Sequence, residues 1–481
     1  MLDLCTETVG LAEGRCAYAE ARHVALDEER LAVRDGRIDD AARSSSEGLG
    51  VRVRVGSGWG FAATRDATLA GATAALERAL AIAEAQPTAP PTPLAPVAPA
   101  RGTWSSAWVQ DPFELALEEK LAVLVAAEAA LRAGGDARLA RTVAEASARR
   151  ERKAFASTEG AACTQHTLSC GAGIAAWAAG DGEVQVRSYP LAHGGDVRQA
   201  GWEHVRELDL EAHAPRVAAE AIELLTAPPL PAGTATIVLH GEQVALQVHE
   251  SIGHALELDR ILLGEASYAG TSWVAPDALG SLRYGSDQLT ITADATLPGG
   301  LGTFGWDDEG VPAERTTLVD AGVLRAALSN RESAAAIGLE RSGGCARADG
   351  FARQPIVRMT NVSLEPGAAG SLADLLTDTG AGFYLETNRS WSIDDRRLQF
   401  QFATEVAREI LPGGQLGRLY RNPSYAGITP QFWGSLDAVC SAADWRAWGL
   451  TNCGKGEPGQ VMSVSHGTAA ARFRDVQVGV A

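Results

Sequence analysis

The chain lacks the features that would place it in a membrane or outside the cell. No apolar run approaches the roughly 20 residues of a membrane span, and the N-terminal Met-Leu-Asp-Leu-Cys lacks the basic and apolar regions of a signal peptide. The seven cysteines are scattered and odd in number, which does not fit a disulfide framework. We therefore expect a cytoplasmic protein with reduced thiols and no membrane partner.

An excess of positive charge is also missing. The formal net charge of -18 argues against a nucleic-acid-binding surface, because phosphate contacts need clustered lysines and arginines. Hydrophobic residues make up 46% and charged residues 21%, which is typical of a globular enzyme. A length of 481 residues predicts two or three domains.

The periodicity of apolar residues predicts an α+β fold. The predicted elements of the first half are strands within 16–64, a helix at 66–85, a helix at 112–133, strands within 138–187 and a helix at 208–226. A β-branched strand at 234–239 leads directly into a further helix. From about residue 287, short alternating runs separated by Gly, Pro and Asp indicate a mostly antiparallel sheet structure.

Two proline-rich stretches divide the chain. Residues 86–100 cannot form a regular helix or a central strand, so we expect a linker or an extended surface strap. The prolines within 228–233 mark the main boundary. We predict an N-terminal α/β domain at 1–100, a middle α+β region at 101–230 and a β-rich C-terminal domain at 231–481.

The strongest candidate for a catalytic or metal-binding segment is His249-Glu250-Ser251-Ile252-Gly253-His254. Two imidazoles and a carboxylate resemble two ligands of a divalent metal plus the base that activates its water. A spacing of five separates the histidines by about 140° on a regular helix, so both face one metal only if the helix widens to a π-type turn. Gly253, a poor helix residue, would ease that distortion. The competing interpretation is two ordinary histidines on an amphipathic helix.

A tetrahedral ion with two histidines and one water still needs a third protein ligand. The candidates are the remaining cysteines, histidines and acids of the C-terminal half. Cys453 stands out because glycines surround it and because Lys455 nearby would favour the thiolate. Cys345 and Cys440 have less distinctive neighbours. The alternative, purely structural interpretation is that Cys453 lies in a glycine-rich turn and has no role in metal binding.

Four motifs follow one another along the chain: His249-Glu250-(three)-His254, Gly302-Thr-Phe-Gly-Trp-Asp-Asp-Glu-Gly310, Arg358-Met-Thr-Asn-Val362 and Cys453-Gly-Lys-Gly456. In this order they resemble the TldD/PmbA family of metalloproteases. The resemblance covers nearly the whole chain. It implies an N-terminal α/β region, a β-rich C-terminal domain and a site enclosed in a dimer cavity. It further implies a metal held by His249, His254 and Cys453, with Glu250 as general base.

The function implied by this resemblance is metal-dependent hydrolysis of peptide bonds in unfolded or small peptides. Zinc fits two nitrogens and one sulfur best, with iron as the alternative. The implied assembly is a homodimer or a heterodimer with a TldE/PmbA-like subunit. A second hypothesis is a non-catalytic partner or modulator subunit, but such subunits lack the His-Glu-(three)-His motif that this chain keeps. A third uses Cys453 as nucleophile and His466 as base, which requires the two within hydrogen-bond reach.

Three further groups of residues have a functional and a structural interpretation, and we favour the structural one for each. Asp307, Asp308 and Glu309 could attract a basic peptide terminus, but an acidic run flanked by glycine is more typical of a solvated turn. The spacing of Cys163, His166 and Cys170 could indicate a metal site, but these residues fall on predicted strands. The last group consists of Trp306, Trp391 and Trp433, which are candidates for lining a cavity although large aromatic residues more often belong to cores.

Overall fold

The computed structural model describes residues 1–86, 93–264 and 270–480 and has the predicted α+β fold. Its helices are α1 (Leu2–Gly10), α2 (Leu69–Glu84), α3 (Leu117–Arg132), α4 (Trp202–Glu207), α5 (Leu210–Leu224), α6 (Gly241–Val248), α7 (Leu258–Ile261), α8 (Arg331–Ala336), α9 (Leu372–Thr379) and α10 (Thr429–Gly434). The strands of the first half are β1 (Tyr18–Arg34), β2 (Arg37–Val55), β3 (Gly58–Thr64), β4 (Arg101–Ser105), β5 (Leu139–Ser157), β6 (Ala162–Gly180), β7 (Glu183–Tyr189) and β8 (Asp196–Arg198).

The first half is built on one eight-stranded sheet. Its path runs β3-β2-β1-β5-β6-β4, and β7 and β8 also pair with β6. Helix α2 packs Leu76 and Leu80 against Val51 and Val53 of β2, because these side chains recur at helical and strand periods on facing surfaces. A second core lies between α3, α5 and the other end of the sheet. The predicted N-terminal and middle regions thus contribute strands to a single sheet, and the three-part division of the chain stays a prediction.

The second half contains the strands β9 (Gly233–Leu239), β10 (Ile291–Asp294), β11 (Arg315–Asp320), β12 (Val323–Leu324), β13 (Ala346–Arg347), β14 (Ile356–Val357), β15 (Val362–Leu364), β16 (Gly382–Ile393), β17 (Gln399–Ile410), β18 (Leu416–Tyr420), β19 (Ser424–Ile428), β20 (Leu436–Val439), β21 (Arg446–Lys455), β22 (Gln460–Thr468) and β23 (Ala471–Val478). The largest sheet runs β16-β9-β23-β19-β17-β18, and a β16–β17 pairing closes five of its strands on themselves. The strand pairs are antiparallel as predicted, except that β9 and β16 are parallel. This closed sheet is the rigid support from which α6 starts, directly after β9.

Of the proline-rich stretch 86–100, residues 87–92 lie outside the described residues. The remainder, 93–100, has no regular secondary structure and joins the two halves of the molecule. The amide of Ala95 donates to the Arg331 carbonyl at 3.0 Å, and Arg331 Nε donates to the Ala95 carbonyl at 2.7 Å. Across the described ranges, every helix is too short or too polar to cross a membrane.

Candidate metal centre

The helix that carries the two histidines changes its winding at the point where they occur. Helix α6 continues into a π-helical turn at His249–Gly253, followed by a 3₁₀ turn at His254–Leu256. The π turn predicted from the five-residue spacing is therefore present. It brings the two imidazoles to a centroid distance of 4.8 Å, nearly perpendicular to each other.

Gly253 leaves space in this turn for the side chain of Met359. Its backbone is right-handed, with φ -53° and ψ -60°, within the π turn, and its predicted role in easing that distortion stays a prediction. A Cβ at this position would lie 2.1 Å from Met359 Sδ, which is far inside van der Waals contact. The glycine therefore lets the Met359 side chain pack directly against the ligand helix.

The hairpin of β21 and β22 brings Cys453 to the same place. Ligand atoms of His249, His254 and Cys453 all lie within 4.8 Å of one another, and the three side chains are buried. Cys453 Sγ is 3.6 Å from His254 Nε2. A tetrahedral zinc with bonds of about 2.0–2.1 Å to nitrogen and about 2.3 Å to sulfur would separate these two atoms by about 3.6 Å. The donor set therefore fits a metal of this kind.

His254 is oriented by an anionic partner. Its Nδ1 lies 2.9 Å from Glu257 Oε2, so Nδ1–H donates and Nε2 keeps its lone pair towards Cys453. Glu257 also accepts from Arg260 Nε at 2.6 Å and lies 3.4 Å from Lys455 Nζ. Burial alone would raise the pKa of Glu257, but Lys455, His254 and Arg260 together hold it well below its usual value. The carboxylate is thus ionised and can support the imidazole as a ligand.

His249 is oriented by a neutral partner. His466 Nδ1 is 2.6 Å from the Val362 carbonyl, which can only accept, so this nitrogen carries the proton. Burial, followed by the neighbouring His249, holds the pKa of His466 well below its usual value, so the ring is neutral and its Nε2 accepts. His249 Nδ1, 2.8 Å from that Nε2, must then donate. This leaves the Nε2 lone pair of His249 available to a metal.

Arg358 favours the thiolate form of Cys453. Its Nη2 donates to Cys453 Sγ at 3.2 Å. Burial raises the pKa of the Cys453 thiol. His254 and Arg358 lower it by a larger amount, so that the resulting pKa is below the usual value. Lys455, which the sequence suggested for this task, instead donates to Asp259 Oδ2 and the Val357 carbonyl, each at 2.7 Å.

Glu250 follows the candidate ligand His249 directly in the π turn, and its carboxylate pairs with an arginine. Arg397 Nη1 is 3.2 Å from Glu250 Oε2, and both side chains are largely buried. Arg397 stands in the turn between β16 and β17, so the tip of that hairpin reaches the candidate base. The arrangement can present one carboxylate next to a metal bound by two imidazoles and a thiolate.

Some of the residues that support the ligands could have been identified from sequence patterns, and others could not. Glu257 follows His254 by three residues, a spacing that could have suggested a partner on the same face, and Arg358 opens one of the four motifs. Arg397 and His466 come from distant strands, and no local pattern links them to the histidine helix. His466 has both ring nitrogens engaged with Val362 and His249, which removes the basis for its predicted role as the base of Cys453.

The acidic run Asp307–Glu309 is buried, so the favoured interpretation as a solvated turn is wrong. Asp308 pairs with Lys153 Nζ at 3.0 Å, and Glu309 pairs with Arg52 at 2.8 Å. These ion pairs join the C-terminal half to the N-terminal sheet. The carboxylates of Asp308 and Glu309 are therefore already paired with cations of the chain.

The cysteines and the histidine of β6 are not brought together in the same way. Among the described residues, the only group of three or more potential metal-binding side chains with their ligand atoms close together is His249, His254 and Cys453. The structural interpretation of Cys163, His166 and Cys170 stays a prediction.

The three candidate tryptophans occupy different environments. Trp433 is fully buried in the core, as favoured from the sequence. Trp306 is half-buried and packs against a small apolar cluster that includes Phe155. Trp391 is 37% exposed and borders a pocket. Trp306 also borders a pocket, so two of the three tryptophans contribute to a cavity wall.

Family models match almost all of the chain. Residues 232–480, more than half of it, match the PmbA/TldA metallopeptidase C-terminal domain. The chain belongs to the PmbA/TldD metallopeptidase family. Residues 19–83 match domain 1 of the same family, and residues 110–227 match its central domain.

Individual relatives agree with this assignment. A metalloprotease of Methanothermobacter thermautotrophicus is 29% identical over 476 residues, covering 97% of this chain and 96% of that protein. A zinc metalloprotease TldD homolog of Saccharolobus solfataricus is 24% identical over 249 residues, covering 52% of each chain.

Solved structures share the fold at low sequence identity. TldE from Thermococcus kodakarensis superposes with a TM-score of 0.76 at 15% identity, over 99% of this chain and all of that one. A Thermotoga maritima protein described as a modulator of a DNA gyrase gives a TM-score of 0.79 at 16% identity, over 99% of both chains. At these identities the likeness concerns the fold alone.

Proposed function

We propose that this chain is a metallopeptidase that hydrolyses peptide bonds in unfolded or small peptide substrates. In this proposal His249, His254 and Cys453 hold the metal and Glu250 is the general base. The observation that carries it is the convergence of three buried ligand atoms within 4.8 Å of one another, at a helical turn that also carries the buried Glu250 directly after His249. The hydrogen bonds of both imidazoles leave a lone pair available on each Nε2, as metal binding requires.

A divalent metal in such a centre supplies Lewis acidity, which polarises a carbonyl and lowers the pKa of water from about 15.7 to about 7. Glu250 accepts a proton from the attacking water while the water oxygen bonds to the scissile carbonyl carbon. When the C–N bond breaks, Glu250 returns that proton to the leaving amine. Arg397 holds the Glu250 carboxylate in place beside the centre until substrate arrives.

We propose zinc as the metal, because the nitrogen and sulfur donors and the 3.6 Å separation of His254 Nε2 and Cys453 Sγ suit its tetrahedral geometry. The name of the zinc metalloprotease from Saccharolobus solfataricus supports this choice, and iron is the alternative. A cytoplasmic location is in keeping with seven cysteines that are all unpaired. The proposed assembly is a homodimer or a heterodimer with a TldE-like subunit.

A binding or modulator subunit is the second candidate function. It is favoured by the similarity in fold to TldE and to the Thermotoga maritima protein described as a gyrase modulator. Its weakness is that a purely binding subunit has no need of the converging ligand atoms and the adjacent Glu250.

The peptidase proposal predicts zinc-dependent hydrolysis of unfolded casein. Wild-type protein with a metal chelator should lose activity, and one equivalent of zinc should restore it. The assay is run with the chain alone and with a TldE-like subunit added, because an obligate partner would otherwise hide the activity. Absence of hydrolysis in both settings, with metal bound, would favour the binding-subunit function instead.

A further inference from the structure

A pocket with aromatic walls lies beside the candidate metal centre. It is lined by His193, Leu246, Asn388, Trp391, Trp448 and Leu450 among others, and it encloses about 540 Å³ including its open mouth. Trp391 stands at 37% exposure, and its ring meets that of His193 edge-on at a centroid distance of 6.1 Å. Apolar and aromatic walls of this kind are typical of sites that bind an apolar group.

Two walls of this pocket are the elements that carry the candidate metal ligands. Leu246 of α6 precedes His249 by three residues, a spacing that puts two side chains on neighbouring positions of one helix face with a rise of about 4.5 Å between them. Asn452 of β21 also lines the pocket and immediately precedes Cys453. The pocket and the candidate centre therefore share two structural elements, the histidine helix and β21.

The third wall has a strained backbone and an unsatisfied polar atom. Thr387 adopts φ +61°, which is unusual for a β-branched residue, and the amide of Thr387 donates to Glu242 Oε1. The register of β16 against β17 shifts directly after this point, as in a β-bulge. Asn388 is 6% exposed, and its Oδ1 has no hydrogen-bond partner among the residues that the structure describes. A buried acceptor of this kind is costly unless a ligand supplies a donor.

We infer that this pocket receives a large apolar side chain of the peptide substrate, with Asn388 Oδ1 accepting a hydrogen bond from a backbone N–H of the same peptide. The inference rests on the proposed peptidase function and adds a preference of that peptidase for substrates with a large apolar side chain. The aromatic walls bind the side chain, and the strained bulge at Thr387 and Asn388 aims the acceptor at the peptide backbone.

Binding is tested first, independently of hydrolysis. We expect N-acetyl-phenylalaninamide to bind saturably in a ligand-observed NMR titration, with a Kd at least ten-fold lower than that of N-acetyl-alaninamide. Leu246→Trp, which fills the pocket, should raise the Kd of the phenylalanine probe at least ten-fold. The matched control Leu416→Trp changes an exposed leucine on β18 and should leave it unchanged. Equal binding of the two probes, or no effect of Leu246→Trp, would overturn the inference.

Cleavage separates this inference from the proposed function. In a casein digest mapped by mass spectrometry, wild-type protein should show large apolar residues at one fixed position from the cut bond. Trp391→Ala should weaken that preference, and Leu246→Trp should shift it to small residues. Cleavage without such a preference contradicts the proposed role of the pocket but not the peptidase function. The same holds if Leu246→Trp alters only the association with a second subunit. Absence of cleavage with intact binding of the phenylalanine probe contradicts the peptidase function alone.

Discussion

Replacing Glu250 with Gln is expected to lower the kcat for casein hydrolysis by about 10²–10⁴-fold while leaving the metal content unchanged, the range associated with loss of a general base. Gln has the size of Glu but cannot accept the proton of the attacking water. Glu250 is not one of the three converging ligands, so removing its charge leaves the donor set intact. Activity and metal content, measured on the same preparation, check both parts of this expectation.

The control for this variant is Glu365→Gln, which changes a carboxylate paired with Arg315 at 2.7 Å outside the centre. It should retain wild-type activity. A Glu250→Gln protein with normal kcat would remove this residue from the mechanism. Loss of the metal together with activity would instead indicate that Glu250 is itself a ligand.

Replacing Glu257 with Gln is expected to weaken metal binding by about 10–100-fold, the usual effect of removing the partner of a metal-binding histidine. The change also leaves Lys455 and Arg260 beside a neutral amide in a fully buried position. Breaking a buried ion pair in this way costs about 3–5 kcal/mol of unfolding free energy. Chelator competition measures the first effect, and urea unfolding of the metal-free protein measures the second.

A matched control separates the two effects of this substitution. Asp308 is also buried and pairs with Lys153 Nζ at 3.0 Å, and against the effect of burial Lys153 and Arg22 likewise lower its pKa. Asp308→Asn should lower the free energy of unfolding without changing metal affinity. If Glu257→Gln also left metal affinity unchanged, the orienting role of the Glu257–His254 hydrogen bond would be wrong.

The stability effect at Glu257 has a defined dependence on pH. Its pKa in the folded chain lies well below the ordinary value of 4.5, because Lys455, His254 and Arg260 outweigh the effect of burial. A carboxyl with a depressed pKa stabilises the fold fully above its unfolded pKa and loses that contribution as the pH falls through the folded one. The difference in unfolding free energy between wild type and Glu257→Gln should therefore be full at neutral pH and shrink below pH 4.5.

The sequence predicted those features of the centre that depend on local spacing. The five-residue separation of His249 and His254 required a π turn to bring both imidazoles to one metal, and that turn is present. The helix and strand periods likewise located α2, α3 and α5 to within a few residues. These features follow from the geometry of a few adjacent residues, which is why they can be read from the chain.

Features that depend on contacts across the chain were missed or misjudged. The space that Gly253 leaves is filled by Met359, more than one hundred residues further along. Asp307–Glu309 has the composition of an exposed turn, but it is buried, with Arg22 and Lys153 of the N-terminal sheet pairing with Asp308 and Arg52 pairing with Glu309. Arg397 and His466 reach the centre only because the closed sheet and the β21–β22 hairpin fold back on the histidine helix.

The most direct test of a three-ligand metal centre is elemental analysis of wild type, His254→Ala and Cys453→Ala, with Cys345→Ala as the buried-cysteine control. We predict about one zinc per wild-type chain, retained in Cys345→Ala and lost in both other variants. Metal lost only from His254→Ala would contradict Cys453 as the third ligand. A folded wild type that binds no metal, even when zinc is supplied, would contradict the metal centre itself.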